Sequence, residues 1–261
     1  MSTYAVTGVA SGIGAELVKI LKARGHAVIG FDKAGAAGVD RLISVDLDDP
    51  ASIIEAAAQI EQPLDGICNN AGIPPRDGWE ELILSVNFLG QRNFLKAMTP
   101  HLKPGASVVN MASRAGRDWL ANAEQNKRLA ALTHKDQLAA FVAAEGLNPT
   151  TCYNLTKQAM ILWTFAMTEP LLAEGIRVNA VSPAAVETGI LDDFKRAFGD
   201  RVTANIDRAG RAGSPEEIAQ IAAFLLSPES WWIKGADIHV DGGMGGFTQT
   251  DELGLEVFRL G

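Results

Sequence analysis

The sequence predicts a single α/β domain, a doubly wound parallel sheet of seven strands covered by helices on both faces. Three observations predict it. Short apolar runs alternate with amphipathic helical stretches over the whole 261-residue chain. A glycine-rich turn, Thr7-Gly8-Val9-Ala10-Ser11-Gly12-Ile13-Gly14, joins the first apolar run to the first helical stretch. No linker, repeat or low-complexity tract breaks the alternation, so residues 1–261 read as one domain, long enough to bury a large core.

Taken in order, Tyr4-Ala5-Val6 is the first strand. Ile13, Leu17, Ile20 and Leu21 recur at helical spacing, and Gly25 ends that helix. Ala27-Val28-Ile29-Gly30-Phe31 is a second strand closed by Asp32, and Leu42-Ile43-Ser44-Val45 a third. Pro50 opens a helix to about Ile60, and Leu64-Asp65-Gly66-Ile67-Cys68 forms a fourth strand stopped by Asn69-Asn70-Ala71-Gly72. A long helix covers Glu80 to Met98, followed by a fifth strand over residues 106–111. Tyr153 lies at the start of a helix reaching about Ala173, ahead of a sixth strand over residues 176–181. Ser214 with Glu217 three residues on is a capping-box pattern for a helix from Pro215 to Leu226, and residues 237–240 are the seventh strand. Two stretches exceed this plan. Residues 116–149 read as two short inserted helices, and the tail from 244 to 261 carries enough apolar residues to suggest docking on this or a neighbouring subunit.

Composition removes several function classes. A formal net charge of −8 argues against nucleic acid as a partner, because phosphate binding wants a basic surface. No apolar run approaches the roughly 20 residues of a membrane span, and the N-terminus does not read as a signal peptide. Cys68 and Cys152 frame neither a disulfide scaffold nor a metal site, and they suit a reducing compartment, so a cytoplasmic location is expected. The four histidines are scattered without ligand spacing, and no metal is expected.

Two patterns carry chemistry. Tyr153 and Lys157 stand four residues apart, which puts them on one helix face. An ammonium beside a phenol favours the phenolate, lowering a group that otherwise titrates near ~10 toward the range of a useful proton acceptor. Such a phenol takes a proton from an alcohol or gives one to a carbonyl oxygen. The second pattern is the glycine turn between strand and helix, where backbone can approach a pyrophosphate and helix N–H groups can hold it. Asp32, eighteen positions past Gly14, ends the second strand, where a carboxylate accepts hydrogen bonds from ribose hydroxyls. That carboxylate would repel a 2′-phosphate, and Ser11 leaves the turn without a base to attract one, so NAD is favoured over NADP. Lys33 is the dissenting charge.

Together these residues resemble the short-chain dehydrogenase/reductase family along nearly the whole chain. The turn at residues 7–14 is similar to its TGxxxGIG motif, and Asn69-Asn70-Ala71-Gly72 to its NNAG motif. Asn87, Ser113, Tyr153 and Lys157 match its catalytic set, Pro183 with Thr188 its PGxxxT loop, and Asp241-Gly242-Gly243 its C-terminal DGG. The resemblance implies a Rossmann fold and an NAD(H)-dependent oxidoreductase interconverting a secondary, aryl or cyclic alcohol and its carbonyl compound. It implies Tyr153 as general acid/base, Lys157 as the group that lowers its pKa and binds the nicotinamide ribose, Ser113 as a donor to the substrate oxygen, and Asn87 as the holder of a water linking Lys157 to solvent. Gly8, Ser11, Gly12, Ile13 and Gly14 would cradle the pyrophosphate. Asp46 with Leu47 would meet the adenine, Asn69, Ala71 and Gly72 would line the adenosine side, and Val186 with Thr188 would hold the carboxamide. All four catalytic positions are kept, which argues against the alternative of a non-catalytic NAD-binding sensor or scaffold. Lys157 and the intact turn argue against a lyase.

Two departures stand out. Ala184 follows Pro183 where the family has glycine. Forty positions separate Ser113 from Tyr153, far more than the family usually has. This insertion is similar to that of a bacterial subgroup containing 3α-hydroxysteroid dehydrogenase/carbonyl reductase and coniferyl alcohol dehydrogenase. Its first residues should hang near the substrate. Trp119 and Leu120, with Arg114 or Arg117 nearby, are therefore candidate pocket residues, as are Pro74, Ile190, Leu191 and Phe194. Such a lining suits an apolar alcohol or ketone. Family members commonly form tetramers. The inserted helices would block one of the faces used, so a homodimer is favoured, with Trp231 and Trp232 as core residues or interface anchors.

Overall fold

The computed structural model describes residues 1–259. Its centre is one sheet of β1 (Thr3–Thr7), β2 (Ala27–Asp32), β3 (Arg41–Ser44), β4 (Leu64–Asn69), β5 (Leu102–Met111), β6 (Arg177–Pro183) and β7 (Asp237–Val240). The strands lie in the order β3-β2-β1-β4-β5-β6-β7, and every neighbouring pair is parallel. Winding reverses between β1 and β4. In such sheets ligands bind beyond the carboxyl ends of the strands at the reversal.

The strands read as continuous apolar runs because both faces are covered. Alternate residues serve opposite layers. Ala5, Ile67 and Val108 face one layer with Phe31 and Phe94, while Val6, Cys68 and Val109 face the other with Leu17 and Ile218. The first layer is closed by α2 (Pro50–Ala57), α4 (Gln91–Met98) and α7 (Pro149–Ala173), the second by α1 (Gly12–Ala23) and α10 (Pro215–Leu226). The expected capping box forms at α10, where Ser214 Oγ accepts from the Glu217 N–H and Glu217 accepts in return.

Several boundaries differ from the sequence reading. The expected helix from Glu80 to Met98 is α3 (Glu80–Leu84) and α4 joined by a π-helical turn, Ser85–Gly90, that contains Asn87. The helix α7 starts four residues ahead of Tyr153, where Asn148 caps it and Pro149 occupies its first turn. Tyr153 therefore sits on regular helix, not at a frayed end. The inserted segment does form two short helices, α5 (Ala123–Ala131) and α6 (Leu138–Glu145). Leu129, Leu138 and Phe141 pack with Ile83, Phe88 and Leu155, and Arg92 on α4 donates to the Ala130 and Leu132 carbonyls at 2.8 and 2.7 Å.

The stretch after Thr188, to which the sequence reading assigned no helix, holds α8 (Leu191–Phe198) and α9 (Asp200–Ala209), broken at Gly199. The tail holds α11 (Met244–Leu253). Met244 is buried and Phe247 packs under the Arg208 guanidinium, so part of the tail docks on its own chain, while Leu253, Val257 and Phe258 stay exposed. Residues 260 and 261 of the tail lie outside the described residues. Among the described residues, no helix is long and apolar enough to cross a membrane.

Candidate active site

The carboxyl ends of the strands open into a cleft of about 770 Å³ that runs from Asp32 to Tyr153. One end is built by the glycine turn. Gly8 has φ of +72°, and a Cβ on Gly14 would stand 2.0 Å from the Gly8 carbonyl oxygen, so only glycine lets α1 start this close to β1. Asn70 ties the turn down by donating from Nδ2 to the Thr7 and Gly8 carbonyls at 3.0 and 3.2 Å. Asp32 accepts from the Ala10 N–H at 2.9 Å and the Ala34 N–H at 3.0 Å, which fixes its carboxylate at the mouth of the turn. Ser11 makes no side-chain cap and the first turn of α1 has no acidic residue. Its amides, with Ser11, Gly12 and Ile13 on the cleft wall, are left for an anion.

Beyond Asp32, Lys33 is bound to Asp46 at 2.7 Å and Asp46 also accepts from the Asp48 N–H at 3.0 Å. Burial would raise the Asp46 pKa, but the Lys33 hydrogen bond and the Asp48 amide outweigh it and hold the carboxyl below its usual range. Leu47 and Val45 give this end an apolar surface. Asn69 does not reach the cleft. Its side chain is fully buried and donates to Asn110 at 2.8 Å, so the neighbouring Asn70, with Ala71 and Gly72, makes this wall. In β4 the side chains alternate, and Asn69 faces the interior side.

At the other end stand Ser113, Tyr153 and Lys157. The Lys157 ammonium donates to the Met111 carbonyl at 2.9 Å and lies 5.5 Å from the Tyr153 ring centroid. Burial lowers its pKa to about 8. The Tyr153 phenol is buried beside it. Desolvation pushes its pKa above 10, and hydrogen bonding with Ser113 pulls the other way without overcoming it. Ser113 Oγ accepts from the Ala115 N–H at 3.2 Å and donates to the Pro183 carbonyl at 3.4 Å.

Asn87, fully buried in the π-helical turn, commits both side-chain polar atoms to one residue. It accepts from the Ile73 N–H at 2.8 Å and donates to the Ile73 carbonyl at 2.9 Å. It fixes the segment after β4, with Gly72 packed between it and Lys157. Pro183, Val186 and Thr188 follow β6 along the cleft, and Val186 is tied to Gly213 by an isolated bridge. Ala184 lines the same wall.

The apolar wall is made by helices that the sequence reading missed. Phe194 and Phe198 on α8 lie 5.1 and 6.3 Å, centroid to centroid, from Tyr153, with Ile190 beside them. Spacing of Leu191, Phe194 and Phe198 at helical intervals was the available signal. Asp193, 5% exposed, ties α8 to the segment after β4 through Arg76 at 2.7 Å, and Arg76 stacks over Trp79. Trp119 lies elsewhere: its ring packs edge-on against Phe165 at 5.3 Å, within a cluster of Met160, Ile161 and Ala180. Leu120 is exposed and Pro74 is buried off the cleft. The turn after Ser113 is tight, so only Arg114, Ala115, Arg117 and Asp118 reach the cleft before the chain leaves it.

Two family models match the chain: short chain dehydrogenase over residues 2–124, and Enoyl-(Acyl carrier protein) reductase over residues 136–245. The coniferyl-alcohol dehydrogenase of Pseudomonas sp. (strain HR199 / DSM 7063) is 34% identical over 92% of this chain and 94% of its own. The 3-alpha-hydroxysteroid dehydrogenase/carbonyl reductase of Comamonas testosteroni is 29% identical over 94% of this chain and 96% of its own. Among solved structures, the 3-alpha-hydroxysteroid dehydrogenase from Pseudomonas sp. B-0831 complexed with NADH superposes with a TM-score of 0.85 at 28% identity, covering 95% of this chain and 99% of that one.

Proposed function

The chain belongs to the short-chain dehydrogenase family of oxidoreductases, and from that premise we propose that it interconverts an aryl, cyclic or other secondary alcohol and its carbonyl compound with NAD(H). One observation carries the reading. A single cleft holds the glycine turn and Asp32 at one end and Ser113, Tyr153 and Lys157 at the other.

The residues present fit a dinucleotide. Unclaimed amides at the start of α1 suit the pyrophosphate, Asp32 suits ribose hydroxyls, and Val45 with Leu47 suits an adenine face. Asp32 and the Lys33–Asp46 pair together favour NAD, because the nearby lysines, Lys33 and Lys135, are already paired with Asp46 and Asp48. Pro183, Val186 and Thr188 would border the nicotinamide, and Lys157 its ribose. Bound there, the nicotinamide supplies or accepts the hydride.

The chain's own residues handle the proton and the orientation. Ser113 donates to the substrate oxygen and keeps it beside Tyr153. With its pKa raised by burial, Tyr153 holds its proton at neutral pH and gives it to a carbonyl oxygen, so reduction needs no prior ionisation. Oxidation draws on the small phenolate fraction, which grows as pH rises. Lys157 keeps positive charge behind the phenol below about 8. Phe194, Phe198 and Ile190 suit a flat or cyclic apolar body.

The assembly is proposed as a homodimer. The inserted helices α5 and α6 lie against α3, α4 and α7, over a face that family tetramers use. Solution mass checks this, and a stable tetramer would refute the blocking idea. The activity is tested by mixing the protein with NAD and a panel of aryl, cyclic and polyol alcohols. Growth of the NADH absorbance with aryl or cyclic members supports the reading. No growth with any alcohol, or a strong preference for polyols, counts against it.

A further inference from the structure

Three arginines line the substrate end of the cleft. Arg114 and Arg117 stand on the turn after Ser113, and Arg201 in the first turn of α9, which follows the helix whose phenylalanines touch Tyr153. They are unequally compensated. Arg114 pairs with Asp241 at 3.3 Å and donates to Thr248. Arg117 has only its chain neighbour Asp118, at 3.4 Å, and that carboxylate is 60% exposed. Among the described residues, the ion pair of α9 is made by Arg208 with Asp251, and Arg201 takes part in none.

This end of the cleft runs against a molecule whose formal net charge is −8. Gathering like charges costs free energy that a bound anion returns. Guanidinium forks match a carboxylate, one edge to both oxygens. Burial depresses the Arg114 pKa, and the charges of Arg117 and Arg201 add to that depression against Asp241, so both lie within reach of the Arg114 charge. The adenosine end has its own polar set in Asp32, Lys33 and Asp46, so these arginines are surplus to it.

We propose that the substrate is anionic: an aryl or cyclic oxo- or hydroxy-acid whose reacting oxygen meets Ser113 and Tyr153 and whose carboxylate is held by Arg117 and Arg201. This rests on the dehydrogenase reading and names the substrate class for it. In the reducing direction the carbonyl carbon gains the hydride of NADH, leaving NAD, and the oxygen gains the Tyr153 proton. The carboxylate is unchanged.

The test uses matched pairs, hydroxycyclohexanecarboxylate and hydroxymethylbenzoate against their methyl esters. Calorimetry with NADH already bound reads affinity in a complex that cannot react. At least one acid should bind about tenfold or more tighter than its ester, which is the gain expected of one charge-assisted contact. Raising salt should shrink that preference in the unmodified protein, a readout independent of any variant's folding. Arg117→Gln and Arg201→Gln should each lower the acid-to-ester ratio. Esters that bind as well as acids overturn the proposal, as do variants that leave the ratio unchanged or that weaken NADH binding as much as acid binding. Turnover of the same compounds with NAD is measured separately. Selective acid binding without turnover would sink the dehydrogenase reading and leave the anion site standing, whereas turnover without acid preference would do the reverse.

Discussion

Replacing Lys157 with methionine should abolish turnover and change how stability depends on pH. The side chain is 4% exposed, and burial takes its pKa from 10.5 to about 8. Between those two values the unfolded chain binds more protons than the folded one, so this group's contribution to stability rises as pH rises through that window. The gap corresponds to about 3 kcal/mol of destabilisation near neutral pH. By about pH 9.5 only the last unit below the unfolded pKa remains, so about 2 kcal/mol has been recovered. Methionine carries none of this dependence. It leaves the Met111 carbonyl, which Lys157 reaches at 2.9 Å, without its donor. That loss costs about 1–3 kcal/mol and does not depend on pH. Urea melts of both proteins at about pH 7 and about pH 9.5 isolate the effect, because the other titrating groups cancel in the difference. The stability of Lys157→Met relative to the parent should fall by about 2 kcal/mol over that interval. A difference that is flat in pH, or that grows in the variant's favour as pH rises, would refute the reasoning.

Other substitutions probe the cofactor end and the wall. Gly14→Ala puts a Cβ 2.0 Å from the Gly8 carbonyl and 2.6 Å from Asn70 Nδ2, so the turn must move. Unfolding free energy should drop by about 2 kcal/mol or more and NADH binding should be lost. Gly246→Ala meets nothing within 4 Å on α11 and should be neutral or slightly stabilising in the same melts. Asp32→Asn removes the carboxylate that opposes a 2′-phosphate, and the ratio of kcat/KM for NADH over NADPH should fall about tenfold, with an unchanged ratio contradicting the assignment. Asp193→Asn loosens the Arg76 tie between α8 and the segment after β4. It should raise KM for the alcohol severalfold while the NADH dissociation constant stays within about twofold.

Legibility followed local physics. Strands buried on both faces announce themselves as apolar runs, so all seven were readable, and the residues at their carboxyl ends came with them. The glycine turn was readable because its spacing encodes a steric requirement visible at Gly14. Less legible was whatever depends on packing between distant segments. Asn69 and Asn70 are indistinguishable as letters, yet the strand's alternation turns one onto Asn110 and the other onto the glycine turn. Trp119 follows Ser113 closely in sequence, but a tight turn sends it behind α7 to Phe165. The wall over Tyr153 comes from α8 and α9, whose short polar-rich sequences resemble loop until Phe194 and Phe198 are seen against the phenol. The Tyr153 and Lys157 spacing correctly paired the two on one face. It did not disclose how deeply the fold buries both groups, since desolvation belongs to the fold and not to the helix.

The central claim is that Tyr153 is the general acid/base of a hydride-transfer site. Its most direct test is Tyr153→Phe, assayed by NADH fluorescence titration and by turnover of the best alcohol found with NAD. Removing one oxygen leaves the ring against Phe194 and leaves the glycine turn untouched, so NADH should bind with near-parental affinity. Turnover should fall by about a thousandfold, the scale on which a lost general acid/base registers. A variant that binds NADH and still turns the alcohol over at a rate close to the parent's would contradict the account.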